Sequence, residues 1–305
     1  MTERVHDHHA LTNANQRRLL FALTVTGLMT VVELVGGILS NSLALLGDAG
    51  HMLTDTLALG LSLVALTLAK RPASQTRTYG FHRAEVLAAA ANGTMLVVIC
   101  GFLFYESYQR FVDPPEVRGG LMLAVASIGF LANLVGILVL RPASHGNLNV
   151  KGAFLHLWGD TISSVGVILA SLIILVTGWT IVDPIISIFI GLLILRGAVS
   201  LVLESSDILM EAVPKHLNVG QISNALKEID GVRDVHDVHL WTITSGLYAL
   251  SCHLLIEDGM VSSSSHIVEE VNQVLSQKFG VGHSTIQLEC QECQNSPVCR
   301  LSDSP

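Results

Sequence analysis

The stretch "GDAGHMLTDTLALG", residues 47–60, sets Asp48, His51 and Asp55 inside an otherwise apolar run. Charge in such surroundings is unfavourable, by roughly 2.5 to 3.5 kcal/mol for an Asp at the centre of a bilayer helix on insertion scales. The run therefore implies a partner that offsets this. That partner is "HLWGD", residues 156–160, in which His156 and Asp160 repeat the spacing of His51 and Asp55. On a helix, positions i and i+4 lie on one face about a turn apart, so each pair presents an imidazole nitrogen and a carboxylate oxygen to one point. Two such pairs supply four nitrogen and oxygen ligands, the number and type that a tetrahedral zinc site takes. A structural polar network is the competing reading, and it gives no reason for the matched spacing. Asp48 precedes His51 by three residues on the same face. An acid on an exit path and a helix cap near the outer interface are both open for it. Polar interlocks between helices suit Glu33, Asn92, Glu106 and Asn133.

Around these motifs the chain reads as a membrane protein. Of its 305 residues 50% are hydrophobic and 14% charged, against about 25% charged in a soluble domain. Mean hydropathy is +0.55. A helix needs roughly 20 apolar residues to cross a bilayer. Runs of that kind predict six spans near 19–40, 42–69, 84–108, 119–140, 151–177 and 182–204. Short linkers with turn residues join them, among them Asn41-Ser42, "DPPE" and "TGWTIVDP". Arg4, Arg17, Arg18, Lys70, Arg71, Arg77, Arg83, Arg141 and Lys151 fall on one side of the membrane. Arg110 and Arg118 fall on the other, with Asp113, Glu116 and Asp183. The basic side is cytoplasmic by the positive-inside rule, and six spans then put both termini there. The N-terminal "MTERVHDHHALTNANQRR" lacks the apolar core and cleavage site of a signal peptide, so the first helix is expected to stay.

The second and fifth spans then run in opposite directions. Side by side, they set His51 level with Asp160 and Asp55 level with His156. Each is the middle helix of three, as in an inverted repeat whose inner helices meet at a midplane site. Gly47, Ala49, Gly50, Gly159 and Gly166 are small enough for close helix contact there. Zinc takes neutral imidazole and ionised carboxylate, so metal and protons compete for the same groups. A site that opens in turn to the cytoplasm and to an acidic outside loads metal and releases it against protons, which is antiport. No GxxxxGK[ST] loop occurs, so no ATP is expected. No HExxH occurs either, and four ligands leave no open catalytic position, so no enzyme is expected. Four strong ligands also hold an ion too tightly for a passive channel. A net charge of −8 disfavours nucleic acid as a partner.

Beyond residue 206 the composition is that of a soluble domain. "VGQISNALKEI" has helical spacing, and "DVHDVHLWTITS" and "LYALSCHLLIE" are β-rich runs joined at Ser245-Gly246. "SSSSHIVEEVNQVLSQKF" is an amphipathic helix and "HSTIQLEC" a last strand. The order α-β-β-α-β predicts helices on one face of a small sheet. Strand residues three apart point to opposite faces, which separates His236 from His239 and leaves His239, beside Leu240 and Trp241, a structural residue.

The blocks "NSLALLGDAGHMLTD", "YGFHRAEVLAA", "LNVKGAFLHLWGDTISSVGV", "ILMEAVP", "VHDVHLWTITSG" and "HSTIQLE" resemble the cation diffusion facilitator family over nearly the whole chain. The likeness is to its zinc-transporting branch, the bacterial zinc/cobalt/cadmium efflux type. It implies an α-helical membrane protein with six transmembrane helices, a cytoplasmic α+β domain of ferredoxin-like (metallochaperone-like) fold, and a homodimer in membrane lipid. It implies export of Zn2+ in exchange for H+, with Cd2+ or Co2+ as side substrates and His51, Asp55, His156 and Asp160 as the transport site. Imidazole ligands also disfavour Mn2+ and Mg2+ on physical grounds. The compact loops suit a bacterial inner membrane.

Members of that family bind regulatory zinc in the cytoplasmic domain at positions matching His236, His253, His283 and Glu289; surface histidines on a sheet are the alternative. Cys290-x-x-Cys293 resembles a C-terminal CxxC of eukaryotic members and is open to zinc binding or to a labile disulfide. For His6, His8 and His9, metal loading, a reach to the Cys pair of a dimer mate, and a plain polar tail are all open. Arg83 matches a basic position that in some relatives tethers its helix to the sixth, with Asp207 as the candidate mate. The chain thus divides into a cytoplasmic His-containing tail (1–18), a six-helix transport domain (19–206), a cytoplasmic metal-binding dimerisation domain (207–290) and a Cys-containing tail (291–305).

Overall fold

The computed structural model describes residues 24–69, 71–141, 148–257 and 261–290. Its first six helices are α1 (Thr24–Ser40), α2 (Leu43–Ala69), α3 (Ala84–Val112), α4 (Gly119–Leu140), α5 (Leu148–Thr177) and α6 (Val182–Leu209). Of the described helices, α3, α4, α5 and α6 are long and apolar enough to cross a membrane, and α1 is a shorter apolar helix. Contacts divide the chain into two units, Met1–Ser62 with Ala91–Leu201, and Leu63–Ala90 with Val202–Pro305.

In the first unit Leu45, Met122, Val125, Val167, Ala170 and Ile190 form the inner cluster. Leu28, Val98, Phe102, Leu138 and Val176 point outward with 58–84% of their surface exposed. Apolar exposure on that scale fits lipid and not water. Close helix approach falls at Gly47, where a methyl group would stand 3.1 Å from Leu103 of α3, and at glycines beyond those expected. A methyl group on Gly136 would stand 2.7 Å from Leu157 of α5, and Gly129 leaves room for Glu33, whereas nothing lies within 4 Å of such a position at Gly159.

The sharp turn between α1 and α2 rests on Asn41, whose φ of 56° lies in the left-handed region that Asn tolerates. The free N–H groups at the start of α2 are all satisfied. Ser42 N donates to Gly37 O (3.0 Å), Leu43 N to Asp183 Oδ2 (2.7 Å), Ala44 N to Asp183 Oδ1 (3.2 Å) and Leu45 N to Ser42 Oγ (3.3 Å). Part of the cap of α2 therefore comes from the first turn of α6. Helix α3 continues past the expected end at 108 because Arg110 stays buried, held by Glu106 one turn back at 3.3 Å and by the Asn41 carbonyl at 2.6 Å.

In the second unit, helix α7 (Val219–Lys227) is followed by β1 (Val232–Thr244), β2 (Leu247–Ile256), α8 (Val261–Phe279) and β3 (Val281–Glu289), in the expected α-β-β-α-β order. Asn218 caps α7 by accepting from Gln221 N at 3.1 Å. The sheet order is β1-β2-β3, antiparallel then parallel, with Gly246 (φ 75°) at the hairpin. Ile222 and Leu226 of α7 and Val271 and Leu275 of α8 pack with Leu250 and Leu254 of β2 in one buried cluster.

Strand β1 departs from simple alternation. Asp237 has φ 49°, and the register slips between His236↔His253 and His239↔Ser251. One extra residue is thus inserted, and a bulge of this kind re-aims the side chains beyond it. Residues 253 and 251 share a face of β2, so His236 and His239 share a face of β1. The expectation that they point apart is corrected.

Residues 71–90 pack against the same unit. Glu85 accepts from Thr244 Oγ1 at 2.7 Å and from Ser245 Oγ at 3.2 Å. Arg83 pairs with Glu211 at 2.8 Å and not with Asp207, which lies 3.7 Å from Lys215. Beyond α6 the backbone turns through the left-handed region at Glu211 (φ 60°), the residue whose carboxylate meets Arg83.

Candidate metal centres

The first centre lies between α2 and α5. His51 Nε2 is 3.5 Å from Asp55 Oδ2, His156 Nε2 is 3.3 Å from the same oxygen, and His156 Nε2 is 3.4 Å from Asp160 Oδ2. The two imidazoles stand edge to face, centroids 5.8 Å apart. Ligating atoms of His51, His156 and Asp160 all lie within 4.8 Å of one another. Tetrahedral bonds of about 2.0–2.1 Å place neighbouring ligand atoms about 3.4 Å apart, which matches these three pairs, while Asp55 stands outside the mutually close group of His51, His156 and Asp160. Among the described residues, His51 Nδ1, Asp55 Oδ2 and Asp160 Oδ2 are buried and make no hydrogen bond. Buried polar atoms are normally satisfied, so the Asp55 and Asp160 oxygens suit a cation. Asp160 is 2% exposed while the side chain of His156 is 36% exposed, so the cluster has a closed and an open side.

Asp48 lies inside α2, which begins at Leu43, and its Oδ1 accepts from Ser163 Oγ of α5 at 2.8 Å. The helix-cap reading of Asp48 therefore falls, because Ser42 and Asp183 do the capping. Glu33 and Asn133 are buried as expected of interlocking groups.

The second centre is on the sheet. His236 Nε2 lies 3.0 Å from Glu289 Oε2, His253 Nδ1 lies 2.9 Å from Glu289 Oε1, and the imidazole centroids are 5.4 Å apart. Register builds this group, since His236 pairs with His253 and Leu255 with Glu289. The separations are hydrogen-bond lengths, shorter than a coordination edge, so a metal here would replace imidazole–carboxylate bonds with ligand bonds. His283 is not brought to this group. It pairs with Ala249, four positions down β2 from His253, or about 13 Å at strand rise. Its ring packs on Tyr79 instead, centroids 5.6 Å apart.

Asp237 is a further polar residue at this centre, with no motif in the sequence to mark it. Its Oδ1 bonds His239 Nε2 at 3.1 Å and its Oδ2 lies 3.6 Å from His253 Nε2. The sign that could have revealed it is the apolar spacing Val235, Val238, Leu240, which breaks strict alternation at this residue. Cys290 follows β3 as an exposed free thiol. Cys293, His6, His8 and His9 lie outside the described residues.

Residues 19–210 match the cation efflux transmembrane domain, and residues 214–291 match the cytoplasmic domain of cation efflux proteins. The metal cation efflux system protein CzcD of Cupriavidus metallidurans is 40% identical, over 97% of this chain and 92% of its own. The cadmium, cobalt and zinc/H(+)-K(+) antiporter of Bacillus subtilis is 40% identical, over 94% and 92%. The zinc transporter ZitB of Escherichia coli is 41% identical, over 98% and 96%. A solved structure, the metal-bound C-terminal domain of the CzcD transporter of Cupriavidus metallidurans, is 32% identical, covers 24% of this chain and 99% of its own, and gives a TM-score of 0.22. The chain belongs to the cation efflux family, as an integral membrane transporter and not an enzyme.

Proposed function

We propose that this protein exports Zn2+ from the cytoplasm in exchange for protons, by alternating access to a site made of His51, Asp55, His156 and Asp160. The observation that supports the reading is the approach of imidazole nitrogens and carboxylate oxygens from α2 and α5, at 3.3–3.5 Å for His51–Asp55, His156–Asp55 and His156–Asp160. Two imidazoles and two carboxylates suit zinc, with Cd2+ and Co2+ as side substrates, and the names of the relatives run in the same direction. Protons drive the exchange because each ligand must lose a proton, or stay neutral, to hold metal. Asp48, one turn from His51 and bonded to α5, is a candidate for the outer pathway.

On this reading the chain has six spans and cytoplasmic termini, works in a bacterial inner membrane, and pairs as a homodimer through a ferredoxin-like cytoplasmic domain. His236, His253 and Glu289 hold a regulatory zinc there, with His283 contributing only from another arrangement of the domain or from a partner. Cys290 and Cys293, with His6, His8 and His9, form a further candidate set in the tails. Uptake of radioactive zinc into everted vesicles with an imposed pH gradient tests the central claim. Wild type should accumulate zinc, collapse of the gradient should stop it, and Asp55→Ala should abolish it. Zinc flux indifferent to the gradient would rule out the antiport.

A further inference from the structure

Asp183 has no exposed surface, although it is an acid in a membrane-spanning helix. Its Oδ1 accepts from Ser42 Oγ at 2.6 Å and from Ala44 N at 3.2 Å. Its Oδ2 accepts from Leu43 N at 2.7 Å and from Arg110 Nη1 at 3.4 Å. Arg110, 7% exposed, also donates to the Asn41 carbonyl at 2.6 Å, the Asn41 side chain at 3.2 Å and Glu106 at 3.3 Å. One carboxylate thus stands in the first turn of α6, closes the N-terminus of α2, and is neutralised by a guanidinium from α3. Both helix ends carry partial positive charge, which favours an anion. A neutral Ser or Asn side chain is enough to cap a helix, so capping alone does not account for a buried ion pair that ties three helices together.

What the knot controls is the setting of α2. His51 and Asp55 follow Leu43 by eight and twelve residues. At 1.5 Å and about 100° per residue, any slip or rotation at the cap is carried rigidly along to them. Resting on the reading of His51, Asp55, His156 and Asp160 as the transport site, we propose that Asp183 is a positioning residue for transport. It fixes the rotation and height of α2 from α6 and α3, so that His51 and Asp55 meet His156 and Asp160.

The test uses the full chain in vesicles and in detergent. Zinc uptake is measured over a range of zinc concentrations, and Co2+ absorption reports tetrahedral coordination in a His253→Ala background that removes the sheet centre. Asp183→Asn, matched to wild type in amount, should raise KM for zinc at least tenfold and weaken the tetrahedral cobalt bands. Ser42→Ala, which keeps the Asp183–Arg110 pair, should raise KM a few-fold and add nothing to Asp183→Asn. An unchanged KM and cobalt spectrum in Asp183→Asn, with only Vmax reduced, overturns the proposal. Should that variant not reach the membrane, Ser42→Ala decides, and a wild-type KM there overturns it too. Failure of the transport-site reading shows separately, as zinc uptake that survives Asp55→Ala.

Discussion

Cys252 and Cys290 end up in opposite surroundings on one small sheet. Cys252 is 1% exposed, and burial pushes its thiol up to about 12, whereas Cys290 is exposed just past β3. The thiolate is the reactive form, so brief alkylation at pH 8 should label Cys290 and spare Cys252 in the native protein. Peptide mass mapping reads the outcome, and equal labelling of the two would contradict the packing of β2. The same contrast of local and distant causes explains which site residues the sequence revealed. His51 with Asp55, and His156 with Asp160, stand out because i and i+4 spacing is a local property of a helix. Asp183 does not stand out, since its meaning depends on Leu43, which is 140 residues away along the chain. Asp48 falls between the two cases. Its face was legible, but the bond to Ser163 was not.

Strand β1 shows where reading by element breaks down. A period of two predicts opposite faces for His236 and His239, and it fails at a single inserted residue, Asp237. A non-glycine residue in the left-handed region costs about 1–2 kcal/mol, least for Asp and Asn. Asp237→Val should therefore destabilise the protein by about 1–2 kcal/mol, because a β-branched residue fits that region worst. Asp237→Asn should be nearly neutral, and chemical denaturation of the purified protein compares the two. The helices, by contrast, lie close to their expected bounds: α4 spans 119–140, and α6 begins at 182. Long apolar runs define themselves through the bilayer they match. The ends that moved, such as that of α3, moved because Arg110 finds partners on other segments.

For the molecule as a whole, metal binding and stability are linked. A ligand that binds only the folded state adds about 2.7 kcal/mol at a hundred times its Kd. Removing zinc with a chelator should lower the thermal midpoint of the purified protein, and His253→Ala should shrink that difference if the sheet centre contributes. No change in His253→Ala would mean that the stabilising metal sits elsewhere. The order of helices and strands was legible at this scale because each is announced by its own periodicity, while the grouping of His236, His253 and Glu289 had to wait for strand register. The composition of the α2–α5 centre has an electrical consequence. Two carboxylates and two neutral imidazoles carry a formal charge of −2, which one divalent cation cancels, as do two protons. A carrier returning with two protons moves no net charge and ignores the membrane voltage. One returning with a single proton drags one negative charge inward, which an inside-negative voltage opposes at about 2.3 kcal/mol per 100 mV. On the antiport reading, the number of protons on the empty carrier thus decides whether the cell's voltage hinders the export of metal, leaves it to the pH difference alone, or, with more than two protons, helps to power it.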